Sequence, residues 1–279
     1  MTLLAHWVNG VAGADIPATD RGFSFGDSLF ETFRIHSGRP LFWERHLSRL
    51  ERGLLALGID CEATRVTDQL DQGLRWLAQQ GPDQVAARLT VSRGPAQRGY
   101  RGSAGPATVV LQCYETFPWP MAPEPARITV CKTQLADQAL LAGIKHGNRL
   151  EQVLAGRELD ALDADEGLLC DNRGNLVCAL AANTFLVRGG RLFTPPIETC
   201  GVAGTVRELI IDELAAAAGI ELEVKRIQPA DLAGAEELLL SNSVLGIRSV
   251  SGCDGHSFTS TQWGDTLREH LYRACYSAP

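Results

Sequence analysis

The chain has 279 residues, 45% of them hydrophobic, enough for one large domain or two ordinary ones with cores of their own. A formal charge of -7 with both signs interspersed argues against an extended basic face, and so against nucleic acid as a partner. No segment reaches the ~18 apolar residues of a membrane span, and the N-terminus has no basic region followed by a long apolar run, so a cytosolic location is expected.

In chain order, Asn9-Gly10 signals a hairpin turn, and Leu29 to His36 reads as a strand closed by Ser37-Gly38. Trp43 to Leu57 carries Leu47, Leu50 and Leu54 at helical spacing and stops at Gly58; a second helix covers Val66 to Ala78. Val85 to Ser92 and Ala107 to Glu115 read as strands. Prolines then crowd residues 118–125, which forbids regular helix or central strand and predicts an interdomain linker. Residues 1–117 thus form a smaller α+β domain and residues 126–279 a larger β-rich one. In the latter, Ile128 to Lys132 reads as a strand and Asn148 to Leu162 as a helix. A hairpin turns about Asn172-Arg173-Gly174, and Thr184 to Val187 and Arg191 to Thr194 flank Gly189-Gly190. A helix runs from near Gly204 to near Gly219, Leu222 to Lys225 and Glu237 to Leu240 are strands, and Thr261 to Tyr272 closes the chain as a helix. Eight cysteines without a C-x-x-C pair suggest neither a zinc site nor a disulfide framework, and no metal is expected.

Lys145 lies between a small-residue approach and a helix start, in Leu141-Ala142-Gly143-Ile144-Lys145-His146-Gly147-Asn148-Arg149-Leu150. A lysine becomes a nucleophile near neutral pH when desolvation or a neighbouring cation lowers its pKa. Ala142, Gly143 and Ile144 supply an apolar approach, and His146 and Arg149 a source of positive charge. Read alone, such a lysine is more often a solvated surface residue. Arg49 in His46-Leu47-Ser48-Arg49-Leu50 reads alone as an ordinary helix arginine, and Thr32 as a β-branched strand residue. Gly201-Val202-Ala203-Gly204-Thr205-Val206-Arg207 leads a glycine turn into a helix, leaving N–H groups for an anion, although most such turns only start a helix.

Together these segments resemble the aminodeoxychorismate lyases, in the fold-type IV group of pyridoxal-phosphate enzymes that also holds the branched-chain and D-amino acid aminotransferases. The Lys145 segment carries the resemblance most specifically. Gly26-Asp27-Ser28-Leu29-Phe30-Glu31-Thr32 is similar to the family's G-D-x-x-F-E-T, and Val91-Ser92-Arg93-Gly94-Pro95-Ala96-Gln97-Arg98-Gly99-Tyr100 to its S-R-G-x-x-x-R-G-Y loop. The resemblance implies a two-domain fold-type IV architecture, a homodimer and a pyridoxal phosphate joined to Lys145. It implies phosphate contacts from Arg49, Thr205, Val206, Asn242 and Ser243. Thr32 becomes the proton donor, Arg98 the partner of a substrate carboxylate and Tyr100 a pocket residue, with Arg93 supporting the loop. The implied reaction converts 4-amino-4-deoxychorismate to 4-aminobenzoate and pyruvate in folate biosynthesis. An aminotransferase and a cofactor-binding protein without turnover are the alternatives.

One position departs from the pattern. Relatives carry a glutamate five residues before the asparagine of E-x-x-x-x-N-x-F, where it holds the pyridine nitrogen protonated; ahead of Asn183-Thr184-Phe185 that place is Cys178. A thiol is a weak donor, so Cys178 either makes a weaker ring contact or becomes a thiolate paired with a pyridinium; the plain alternative is an inert core cysteine.

Overall fold

Asn9 and Gly10 both take positive φ, as a two-residue hairpin turn requires, and fold β1 (Leu3–Val8) back on β2 (Val11–Ala12). The structure, a computed structural model, describes residues 1–101, 105–118, 123–162 and 164–276. The chain divides into two compact units, Met1–Trp119 with Ile144–Asn148, and Pro120–Gly143 with Arg149–Pro279. Ile144–Asn148 thus group with the first unit. Residues 119–122 of the expected linker lie outside the described residues.

The first unit holds a six-stranded sheet in the order β2-β1-β6-β5-β3-β4. Its remaining strands are β3 (Ser28–His36), β4 (Arg39–Pro40), β5 (Gln84–Ser92) and β6 (Thr108–Tyr114), antiparallel throughout. A short helix, α1 (Arg21–Phe25), precedes β3. Then α2 (Trp43–Leu57) buries His46, Arg49, Leu50, Gly53 and Leu54 along one face; Leu50 and Leu54 of the expected stripe are in it, while Leu47 is half-buried. Gly58, at φ 60°, stops it by donating its N–H to the Leu54 and Leu55 carbonyls. α3 (Ala63–Gln80) follows.

The second unit is built on a nine-stranded sheet. Its strands are β7 (Ala126–Leu135), β8 (Glu166–Asp171), β9 (Leu176–Ala179), β10 (Asn183–Arg188), β11 (Arg191–Thr194), β12 (Leu222–Val224), β13 (Glu237–Asn242), β14 (Gly246–Cys253) and β15 (His256–Ser257). The main path runs β12-β11-β10-β13-β14-β7-β8-β9, with β15 on β14. Leu168, Leu186, Phe193, Leu238, Leu240 and Val250 fill one core face. α4 (Leu150–Leu159) is shorter at both ends than its spacing predicts. The helix expected from Gly204 starts as α5 (Thr205–Leu209), widens into a π-turn over Ile210–Leu214 and ends as α6 (Ala215–Ala217). α7 (Gln262–Tyr276) closes the unit.

Candidate active site

In the first unit the Lys145 segment is an added edge to β3. Phe30 donates its backbone N–H to the Lys145 carbonyl (2.8 Å), and Gly147 donates to the Ser28 carbonyl (2.7 Å). Such closeness demands glycine at 147, because a Cβ there would stand 2.2 Å from Ser28 Oγ and 2.9 Å from the Gly26 carbonyl oxygen. Asn148 Nδ2 donates to that same carbonyl at 3.2 Å. The K-H-G-N and G-D-S-L-F segments therefore read as separate motifs but fold as one strand pair.

Alternation along β3 sends its side chains to opposite faces. Toward α2 go Leu29, Glu31, Phe33 and Ile35. There Arg49 donates Nε to Glu31 Oε1 at 2.9 Å and Nη2 to Oε2, while His46 Nδ1 meets Oε2 at 2.6 Å. All three side chains are buried, Glu31 to 1% exposure. Burial works to raise the Glu31 carboxyl, but the Arg49 charge and the His46 hydrogen bond outweigh it and hold it well below the usual range. Burial likewise pushes His46 down, so the imidazole is neutral and Nδ1 is the donor. Nothing in the motifs assigns Glu31 a part; its signal is a carboxylate between inward-facing Leu29 and Phe33.

The other face carries Phe30 and Thr32, with Arg88 of β5 directly opposite Thr32. Lys145 Nζ lies 4.4 Å from the centroid of the Phe30 ring, and the Arg88 guanidinium carbon lies 3.8 Å from it. Burial lowers the Arg88 pKa from its ordinary value. Arg88 is absent from the sequence expectations, although an arginine inside the apolar run Val85-Ala86-Ala87-Arg88-Leu89 is itself a signal.

The loop after β5 is tied down by two arginines on one carboxylate. Arg21 and Arg93 each donate Nε to Asp27 Oδ2 at 2.8 Å, and Arg93 also bonds the Leu57 and Gly58 carbonyls. Burial opposes ionisation of Asp27, but the hydrogen bonds from Arg93 and Arg21 prevail and lower its pKa. Arg21 further bonds the Gly99 and Tyr100 carbonyls. Arg98 and Tyr100 are exposed, Tyr100 to 89%, with its ring 5.5 Å from that of Phe25.

In the second unit, Cys178 is buried on β9 opposite Leu169, within a cluster that includes Leu135, Leu159, Val177 and Cys200. The Gly201–Gly204 turn is pinned by Asn183, whose Nδ2 donates to the Val202 carbonyl at 2.9 Å. A Cβ at Gly204 would fall 2.0 Å from Asn183 Oδ1, so only glycine brings this turn so near. Thr205 and Val206, both buried, open α5 directly behind it. At the end of β13, Asn242 Oδ1 accepts from the Val244 and Leu245 amides, and its Nδ2 donates to the Ala181 carbonyl. Its side chain thus builds the β13–β14 turn, with Ser243 inside it. One strand position earlier, Ser241 is 2% exposed and its Oγ has no hydrogen-bond partner among the described residues.

The Lys145, Thr32 and Arg49 assignments therefore fall on one strand and the elements bonded to it, whereas Arg98 and Tyr100 sit out on the loop. Cys178, Thr205, Val206, Asn242 and Ser243 belong to the other unit.

Comparison with known proteins bears on what these groups do. The profile of amino-transferase class IV matches residues 28–253. The aminodeoxychorismate lyase of Vibrio harveyi is 33% identical over 88% of this chain and 90% of its own length. The crystal structure of 4-amino-4-deoxychorismate lyase from Pseudomonas aeruginosa is 35% identical, covers 98% of this chain and 100% of its own, and superposes with a TM-score of 0.86. A branched-chain aminotransferase from Thermoproteus uzoniensis has a TM-score of 0.87 over 97% of this chain and 94% of its own, at 21% identity, a likeness of fold alone. The two-sheet architecture is the fold-type IV one, and the chain belongs to the class IV amino-transferase family.

Proposed function

We propose that the chain is an aminodeoxychorismate lyase, converting 4-amino-4-deoxychorismate to 4-aminobenzoate and pyruvate in folate biosynthesis, with pyridoxal phosphate as cofactor. The observation that carries this reading is the seating of Lys145 on β3. Its carbonyl is bonded two residues from Thr32, and its amine lies over the Phe30 ring on the face that strand alternation gives to Thr32. The identities of 33% and 35% to two lyases support it.

The donor set fits the cofactor. Lys145 offers a half-buried amine, and Arg49 is a guanidinium held in place by Glu31. Thr205, Val206, Asn242 and Ser243 are the further phosphate residues, beside a Ser241 hydroxyl that is buried without a partner among the described residues. Pyridoxal phosphate, when bound, supplies an aldehyde for an amine and a pyridine ring that takes up negative charge. Cys178 is the residue assigned to the ring nitrogen.

Lys145 would hold the cofactor through its amine and, with substrate bound, would take the proton from the substrate carbon bearing nitrogen. Thr32 gives a proton to the methylene carbon of the departing enolpyruvyl group, which leaves as pyruvate. Breaking that carbon–oxygen bond makes the ring aromatic, so the reaction has a driving force that transamination lacks and tolerates a thiol in place of the carboxylate. Arg98 is the partner of a substrate carboxylate, and Tyr100 lines its approach.

The enzyme acts as a homodimer in the cytosol. Exposed Phe23 and Tyr100 in the first unit, and Leu150, Val153 and Leu154 along α4 in the second, are apolar surface suited to a second copy. No helix among the described residues is long and apolar enough to cross a membrane.

The test is to load the purified chain with pyridoxal phosphate and supply enzymatically generated aminodeoxychorismate. Equal amounts of 4-aminobenzoate and pyruvate are expected. Absence of either product rejects the reading.

A further inference from the structure

Arg88 is a half-buried guanidinium whose side chain makes no hydrogen bond or ion pair among the described residues; its one contact of note is the face of Phe30, at 3.8 Å. Lys145 Nζ stands 4.4 Å from the centroid of the same ring. These distances bound the separation of the two cations at about one Debye length in physiological salt, ~8 Å.

Within this unit, the charged and titratable groups around the Lys145 amine come from four elements besides its own segment. From β3 comes Glu31, and from α2 come Arg49 and His46, the last of which feels the Lys145 charge. Glu31 and Arg49 cancel one another as an ion pair, and His46 is neutral. From β5 comes Arg88, with Tyr114 of β6 beside it. His146 adjoins Lys145 in its own segment. The charge left unmatched is that of Arg88. Phe30 attracts a cation to its face, but that attraction is shared between two.

We propose that Arg88 is a positioning residue for the Lys145 amine: its unmatched guanidinium, on the same Phe30 ring, disfavours the charged form of that amine and so raises its neutral, nucleophilic fraction near neutral pH. The neighbouring cation that the sequence seeks in His146 and Arg149 is supplied by the strand opposite Thr32. The same guanidinium favours the neutral amine again each time Lys145 must let go of a proton. This deepens the assignment of Lys145 as the cofactor's amine and rests on it.

The test reads the amine itself, so it can fail while the product assay succeeds, and the reverse. The full chain, freed of cofactor, is labelled with trace acetic anhydride across a pH series, and the Lys145 peptide is quantified by mass spectrometry. Its labelling midpoint should lie at least about one unit below the ordinary lysine value of ~10.4. It should rise by about one unit in Arg88→Met and stay near wild type in Arg88→Lys, which keeps the charge. In the wild type it should also rise with added salt, a shift that needs no variant. A role confined to packing or to substrate binding predicts none of this pattern. A wild-type midpoint at ~10.4, or equal midpoints in wild type and Arg88→Met, overturns the proposal. So does a shift in Arg88→Lys as large as that in Arg88→Met.

Discussion

His46 enters the fold neutral, and that has a pH signature. Its folded pKa lies below the ordinary value of 6.5, so below that pH the unfolded chain binds a proton that the folded chain refuses. The stability tied to His46 is present in full above 6.5 and is lost as pH falls through the window beneath it. Glu31, also depressed, adds stability that is present above 4.5 and is lost at still lower pH. The melting temperature should therefore decline as pH drops from about 7 to 5, and His46→Gln, although less stable overall, should decline less steeply. Parallel slopes would show that His46 is not the group responsible. For the chemistry, Thr32→Ala should leave cofactor retention intact and slow pyruvate release about 10²–10⁴-fold if the hydroxyl delivers the proton. Unchanged turnover under chemistry-limited conditions would leave Thr32 as a plain strand residue. Lys145, Thr32 and Arg49 are legible in the sequence because each sits in a contiguous motif. The clasp of Arg49 by Glu31 joins a strand motif to a helix motif, and Arg88 reaches Phe30 and Lys145 only through sheet register. Pairing across the sheet is what a linear reading lacks.

At the scale of elements, helix and strand signals recover most of the first unit: α2 buries one stripe, and β3, buried on both faces, shows as a run ended by Ser37-Gly38. β14 escapes the reading. Gly246-Ile247-Arg248-Ser249-Val250-Ser251 has too many small and polar residues for a central strand, yet Ser249 and Val250 are buried between β13 and β7. The expected helix from Asn148 starts instead at Leu150, because Gly147 is committed to β3 and Asn148 to the Gly26 carbonyl. The π-turn at Ile210–Leu214 leaves no mark in a pattern of mostly apolar residues. That commitment is testable, since Gly147→Ala forces Ser28 Oγ and the Gly26 backbone apart. It should cost about 1–3 kcal/mol of stability and lower turnover by displacing Lys145, which follows the same strand pairing. A variant as stable and as active as wild type would contradict the strand pair described here.

For the whole molecule, the proposed homodimer requires a solution mass of about twice the 30.1 kDa of the chain. Leu154→Glu, on the exposed side of α4, should shift that mass toward the monomer if this face is the contact, and light scattering on the eluting peak reads it directly. The prolines at 118–125 are the signal on which the sequence reading places a domain boundary, whereas membership of Ile144–Asn148 in the first unit is a product of folding, because it depends on backbone bonds to residues more than a hundred positions away. The proposed function has this scaffold serve elimination rather than amino transfer. It is met most directly by measuring, on one preparation, the turnover of aminodeoxychorismate and of paired amino and 2-oxo acids, in wild type and in Cys178→Glu. Wild type should release 4-aminobenzoate and pyruvate far faster than it transaminates, and Cys178→Glu should raise transamination more than it raises lyase turnover. Faster transamination than elimination in the wild type would contradict it.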